Sequence, residues 1–151
     1  MILDARNQFA AATALNTGAA GTYLVGNVID LAKNGLDVGN GEEMWLVILI
    51  STTATSGGAA TATFKLASDA QAAIATDGSA SVHIVTDTIP VASLVAGKQV
   101  CAIALPRGTY ERYLGVLQVT GTAAFTAGAV TAFLTHDVAG WVAYPDAVSY
   151  S

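Results

Sequence analysis

Short stretches rich in Thr, Val, Ile and Tyr recur along most of this chain, with turn-forming residues between them. Residues of this kind suit a pleated, half-buried surface. Their regular spacing predicts an all-β sandwich or barrel. The predicted strands are Tyr23–Leu31, Met44–Thr52, Ala60–Leu66, Ala80–Thr88, Gln99–Leu105, Tyr113–Thr120 and Val130–Thr135. Asn34-Gly35 and Asn40-Gly41 fall between the first two, and both pairs suit tight turns that need positive φ. The run "MWLVILI", residues 44–50, is apolar throughout rather than alternating, which predicts a strand covered on both faces at the centre of the core. "ASVHIVTD" alternates instead. It places Val82, Ile84 and Thr86 inward, with Ser81, His83, Val85 and Asp87 toward solvent. The Ala-rich stretch 67–79 has room for one helical turn.

A chain of 151 residues fits one hydrophobic core. Its organisation reads as an N-terminal arm over 1–22, a β-sandwich domain over 23–136 and a C-terminal tail over 137–151. The arm shows no convincing strand alternation, and the tail, "DVAGWVAYPDAVSYS", breaks around Gly140 and Pro145. Neither end has the charged, aromatic-poor composition of a solvated segment. Aromatic side chains with a polar handle are enriched where proteins meet. Ile2, Leu3, Phe9, Trp141, Tyr144 and Tyr150 are therefore the candidate protein-interaction residues. The competing reading folds both ends back over the chain's own sandwich, and the two are compatible in an oligomer.

Composition adds to the case for partners. Hydrophobic residues make up 53% of the chain, charged residues only 11%, and mean hydropathy is +0.54. Ordinary globular domains carry roughly 25% charged residues, so this surface is short of solubilising charge and is expected to be covered. Two charge-free stretches, 44–64 and 113–135, are long enough for a membrane helix of about 20 residues, but scattered Thr, Ser, Gly and Gln read as strands and turns. No membrane span is expected, and "MILDARNQF" lacks the features of a signal peptide. The net charge is −5, and six Lys and Arg are spread singly, so no patch for nucleic acid is expected. Cys101, the single cysteine, sits in an apolar stretch and reads as a buried thiol.

Catalytic patterns fail one by one. His83 and Asp87 share a strand face but lie roughly 13 Å apart at about 3.3 Å per residue. His136-Asp137 are adjacent at a strand end, where consecutive side chains diverge, and Glu42-Glu43 follow a turn. The serines lack Gly-x-Ser-x-Gly. Cys101 has no charged residue closer than Lys98 to lower its pKa. The glycine clusters lack the Lys-Ser/Thr of a phosphate loop. No metal-ligand spacing is present. The expectation is a protein without enzymatic activity, cofactor or metal.

The opening "MILDARNQFAAATAL", the following "NVIDL" and the later "YERYLGVLQVTGTAAFTAGAVTAFLTHDV" resemble the capsid cement (decoration) proteins of the Bordetella-phage type. The likeness touches both ends, rests on strand and turn residues, and is not carried by residues 53–100. It implies a jelly-roll-like antiparallel β-sandwich with an extended N-terminal arm and a C-terminal tail. It further implies a virion protein, made in the bacterial cytoplasm, that binds the outer surface of an icosahedral capsid. There it would cement neighbouring major capsid protein subunits and associate with itself as a homodimer or small homo-oligomer. The family brings no catalytic residues. The alternatives are a carbohydrate- or receptor-binding β-sandwich of a phage tail or spike, and a cupin-like enzyme, for which two distant histidines are too few.

Overall fold

A computed structural model of the chain describes residues 4–34, 38–39 and 43–136. Nine strands carry the fold: β1 (Gln8–Ala14), β2 (Gly21–Asp30), β3 (Trp45–Ser56), β4 (Thr61–Asp69), β5 (Ser81–Val85), β6 (Ile89–Pro90), β7 (Gln99–Ala104), β8 (Tyr113–Gly121) and β9 (Phe125–Thr135). A four-residue helix, α1 (Leu31–Asn34), and two 3-10 turns at Ala5–Asn7 and Val91–Ser93 complete the described elements. Sheet A has the order β1-β9-β3-β7, and sheet B the order β2-β8-β4-β5 with β6 beside β4. Every pairing is antiparallel. β1 pairs with β9, β2 with β8, β3 with β7 and β4 with β5. That is one long hairpin rolled into two sheets, the wiring of a jelly roll.

All seven predicted strands are present, with altered ends. Two strands were not predicted. Residues 8–14, assigned to the arm on sequence, form the edge strand β1, so the β-domain begins well before residue 23. The short β6 follows Pro90's extended backbone along β4. The stretch 70–80 holds no helical turn: Asp69 accepts from the Gln71 and Ala75 amides and Asp77 from Ser79, so carboxylates bend the chain instead.

The core lies between the sheets. Leu46, Ile48 and Ile50 of β3 face Phe64 and Leu66 of β4 and Val116 of β8, and Phe9, Phe125 and Val130 close the layer. Burying each large side chain contributes roughly 1.5–3 kcal/mol. The run at 44–50 is covered on both faces as its pattern predicts, since Val47 on the opposite side of β3 is also buried. A second, smaller cluster sits outside sheet B, where Ile74 and Ala80 from the bent segment pack on Ala67 and Leu117.

The edge strands β1, β2, β5 and β7 break register. In β1, Gln8 pairs with Phe133 and Ala10 with Ala132, so Phe9 is an extra residue. In β5, Ile84 pairs with Leu66 and Val82 with Ala67, leaving His83 extra. In β7, Cys101 pairs with Ile48 and Gln99 with Leu49, leaving Val100 extra. β2 shifts between Val25 and Ile29. Bulges of this kind twist an edge and spoil it as a template for another strand. Of the central pairs, β4–β8 runs nine residues without a shift, whereas β3–β9 shifts three times beyond Ile50.

Candidate docking surface

The sandwich is closed on its β1–β2 side and open where edges β5 and β7 face each other. At the closed side, Gly26 has φ +66, and a Cβ there would fall 2.1 Å from the Phe9 carbonyl oxygen. Only glycine allows β2 to approach so closely. The bulged Phe9 is thereby driven into the core at 0% exposure. This corrects its assignment as an interaction residue: Phe9 packs inside its own chain. Ile2, Leu3, Trp141, Tyr144 and Tyr150 lie outside the described residues.

At the open side a groove of about 430 Å³ runs between the two sheet edges, lined by Val85, Thr86, Pro90, Lys98, Cys101 and Ile103 among others. The exposed large hydrophobic residues among the described ones are Val85 (55%), Val95 (46%), Val82 (43%) and Ile103 (38%). All four belong to β5, β7 or the connection leading into β7. Two of them, Val85 and Ile103, line the groove beside polar Thr86, Asp87 and Lys98, and apolar surface rimmed by polar groups suits contact with another protein. Cys101 forms part of the groove floor but is buried, and burial raises its thiol to about 11. Such a thiol is protonated at neutral pH and unreactive. Its Sγ lies 3.9 Å from the Leu46 carbonyl oxygen.

The sequence places Val82 inward and His83 toward solvent, and the β5 bulge reverses both. Val82 pairs with Ala67 on the outer face and is exposed. His83 is half-buried, with its ring stacked on Tyr110 at 4.0 Å between centroids. Its Nε2 lies 2.7 Å from Ser68 Oγ. Ser68 Oγ also accepts from the Glu111 amide at 3.1 Å, which leaves the serine's own proton for Nε2 of a neutral imidazole. Burial lowers the His83 pKa, and the Glu111 charge opposes this only in part.

Serine, histidine and glutamate thus meet, a grouping no sequence pattern signalled because the residues come from three separate segments. The geometry is nevertheless that of a bracket. Ser68 has 0% exposure, so no substrate carbonyl can reach its hydroxyl. The Glu111 carboxylate accepts from Ser81 Oγ at 2.6 Å rather than orienting the imidazole. Together with the Tyr110 hydroxyl, which donates to the Pro106 carbonyl at 2.6 Å, these contacts pin the loop 106–112 to the β4–β5 edge. The same loop ends in Arg112, which forms a two-pronged ion pair with Asp30 at 3.0 and 2.9 Å and lies over Tyr113. His136 Nδ1 sits 3.0 Å from the Glu43 carbonyl oxygen, a strand-end contact as its position suggests.

Among the described residues no group of three His, Cys, Asp or Glu side chains could hold a metal ion. None of their helices is long and apolar enough to cross a membrane. No curated protein matches the chain. The Bbp16 family model, however, matches residues 9–134. That span runs from Phe9 in the first strand of the roll to Leu134 in the last, so the match covers the whole jelly roll. The chain belongs to the Bbp16 family.

Proposed function

We propose that this protein is a structural component of a phage virion that binds the outer surface of an icosahedral capsid and bridges neighbouring major capsid protein subunits. The observation that carries the reading is the open groove between the β5 and β7 edges, which the exposed Val85 and Ile103 both line. Family membership supports it, because the Bbp16 family fits the phage origin implied by the resemblance at both ends of the sequence. The jelly roll is a fold that viral capsid domains use. With register breaks in β1, β2, β5 and β7, contact through side chains of the rim is favoured over addition of a strand. Many weak contacts repeated over a shell add up through effective concentration, so no single site need be tight. Self-association and contacts by Ile2, Leu3, Trp141, Tyr144 and Tyr150 belong to the same proposal, as does the absence of catalysis. A glycan-binding role would require an exposed aromatic platform. Every described aromatic ring, including Trp45, Tyr110 and Tyr113, is half-buried or buried.

The test is a binding measurement on capsids that lack this protein. Wild-type chain should saturate them, and Val82→Asp/Val85→Asp/Ile103→Asp should bind at least about tenfold more weakly while melting normally, because exposed positions contribute little to stability. Equal binding by the triple variant would remove the rim from the mechanism, and no binding by wild type would remove the capsid.

A further inference from the structure

The buried hydroxyl of Ser68 joins β4, β5 and the loop 106–112. Its Oγ accepts from the Glu111 amide at 3.1 Å and lies 2.7 Å from His83 Nε2. A hydroxyl has a single proton to give. With the imidazole neutral that proton goes to Nε2, so donation runs from the Glu111 amide through Ser68 to His83. An imidazolium reverses the last step, because both of its nitrogens donate. Ser68 Oγ then faces two donors, and its own proton has no acceptor among the described residues. A buried polar group left in that state is costly, so one of the partners must move. The loop is the part able to do so. Its ends are fixed, with the Leu105 amide on the Met44 carbonyl at 2.8 Å and the Leu31 amide on the Arg112 carbonyl at 2.9 Å. Between them residues 106–109 are exposed. The strap 106–111 meets the β4–β5 edge through the Glu111 amide on Ser68, the Glu111 carboxylate on Ser81 and the Tyr110 ring on His83.

We propose that this cluster is an acid-triggered latch, in which proton uptake by the His83 imidazole releases the strap 106–111 from the β4–β5 edge while the sandwich stays folded. Release carries Tyr110 off the core it packs against. It also loosens the backbone at Gly39, where an added Cβ would lie 2.7 Å from the Gly108 carbonyl oxygen and from Tyr110 Cε2. The charged and titratable groups around His83 allow this. From the strap, Glu111 favours the imidazolium, but its carboxylate is committed to Ser81 Oγ. Tyr110 stays protonated, since burial pushes its hydroxyl above the usual tyrosine value. Arg107 lies on the exposed part of the strap, and Arg112 is turned to Asp30. From β4, Lys65 stands opposite Val85 on the outer face, and the Asp69 carboxylate is taken up by the Gln71 and Ala75 amides. Asp87 follows four residues along the chain, beyond the end of β5. Burial of the imidazole outweighs the Glu111 charge, so the closed strap holds His83 neutral more firmly than the released one does. The latch does not depend on what the protein binds.

The test is amide hydrogen exchange on the full-length chain at pH 7 and pH 5, corrected for the intrinsic pH dependence of exchange. The Glu111 amide reports the latch. Its opening should become several-fold more frequent at pH 5, and at most about 30-fold, the gain that proton binding at that pH gives a released imidazole of ordinary pKa 6.5. Amides of the β4–β8 pair should change little. Unchanged protection at Glu111 would overturn the proposal, and so would an equal loss throughout β4–β8, which is global unfolding. In His83→Gln the Glu111 amide should lose its pH dependence, and the same dependence in that variant would assign the trigger to another group. A second measurement stands if His83→Gln does not fold. The His83 ring signals of the wild type, followed by NMR, should titrate with a midpoint below 6.5 that coincides with the loss of protection. A midpoint above 6.5 would show Glu111 capturing the imidazolium and tightening the strap, the opposite of a latch that acid opens.

Discussion

Gln118→Leu should destabilise the protein by about 2–3 kcal/mol, although it replaces a polar residue in the core by an apolar one of similar size. Gln118 points between the sheets from β8 and has 0% exposure. Its Oε1 accepts from the Asn16 amide at 2.9 Å, and its Nε2 donates to the Asn16 carbonyl at 3.2 Å and to Thr120 Oγ1 at 2.8 Å. The side chain therefore stands in for a missing piece of strand and ties the β1–β2 connection to β8. Removing it orphans the hydroxyl of Thr120, which is 2% exposed, and both backbone groups of the half-buried Asn16. A buried orphan costs about 1–3 kcal/mol, and the Asn16 groups, nearer to water, cost about 1 each. Leucine recovers roughly 1–2 kcal/mol through apolar burial, which leaves the stated net. Urea unfolding followed by tryptophan fluorescence measures it. The midpoint should fall by about 1 M or more at an unchanged slope. Asn16→Ala is the comparison and should cost less, about 1 kcal/mol, because it removes only the bond from the Gly18 amide to Asn16 Oδ1 and leaves the residue 16 backbone held by Gln118. A loss below about 1 kcal/mol in Gln118→Leu, or an equal loss in Asn16→Ala, would refute the reasoning.

Three further outcomes are expected. Gly26→Ala should cost more than the about 1–2 kcal/mol of a left-handed alanine, because its Cβ would also collide with the Phe9 carbonyl; thermal melting reads this, and a neutral result would contradict the close approach. Cys101, protonated below about 11 and buried, should react with a thiol reagent at pH 8 far more slowly in the native than in the denatured chain, and equal rates would show the groove floor to be open. His83 is held neutral, with its pKa below the usual 6.5, so the unfolded state takes up the proton first. Its contribution to stability should be full above pH 6.5 and decline as pH falls toward the folded value. His83→Gln should flatten that limb of the stability profile, well above the range where Asp30, Asp69 and Asp77 titrate.

The strands were legible where side chains alternate or run apolar over at least six residues, as in 44–50 and 113–120. β1 was not, for two physical reasons. It is built mostly from alanine, which carries little pattern, and its bulge puts Phe9 and Ala10 both inside, which destroys the period of two. The same device hid the His83 bracket: one extra residue in β5 turned Val82 outward and His83 toward Ser68. Ser68, His83, Tyr110 and Glu111 come from positions that only the rolled hairpin brings together. The open rim was invisible for a related reason, since Val85 and Ile103 read as ordinary strand residues until their strands are known to be edges. Charge scarcity pointed to a covered surface, and no periodicity told where.

The position of β9 bears on how the protein is made. β9 is the last described strand, yet it lies between β1 and β3 in sheet A. While the ribosome still holds residues 125–135, β1 has no strand to bond, and one side of β3 is bare. For most of synthesis the apolar run 45–50 is therefore a sticky ribbon lacking its principal partner, the condition under which chains aggregate. Pairings such as Gln8 with Phe133 also close nearly the full length of the chain, which slows folding. Folding of this design waits until β9 has left the ribosome. The eleven residues of β9 act as a keystone, and a product terminated before Phe125 would be cleared as unfolded protein rather than persist as a smaller domain.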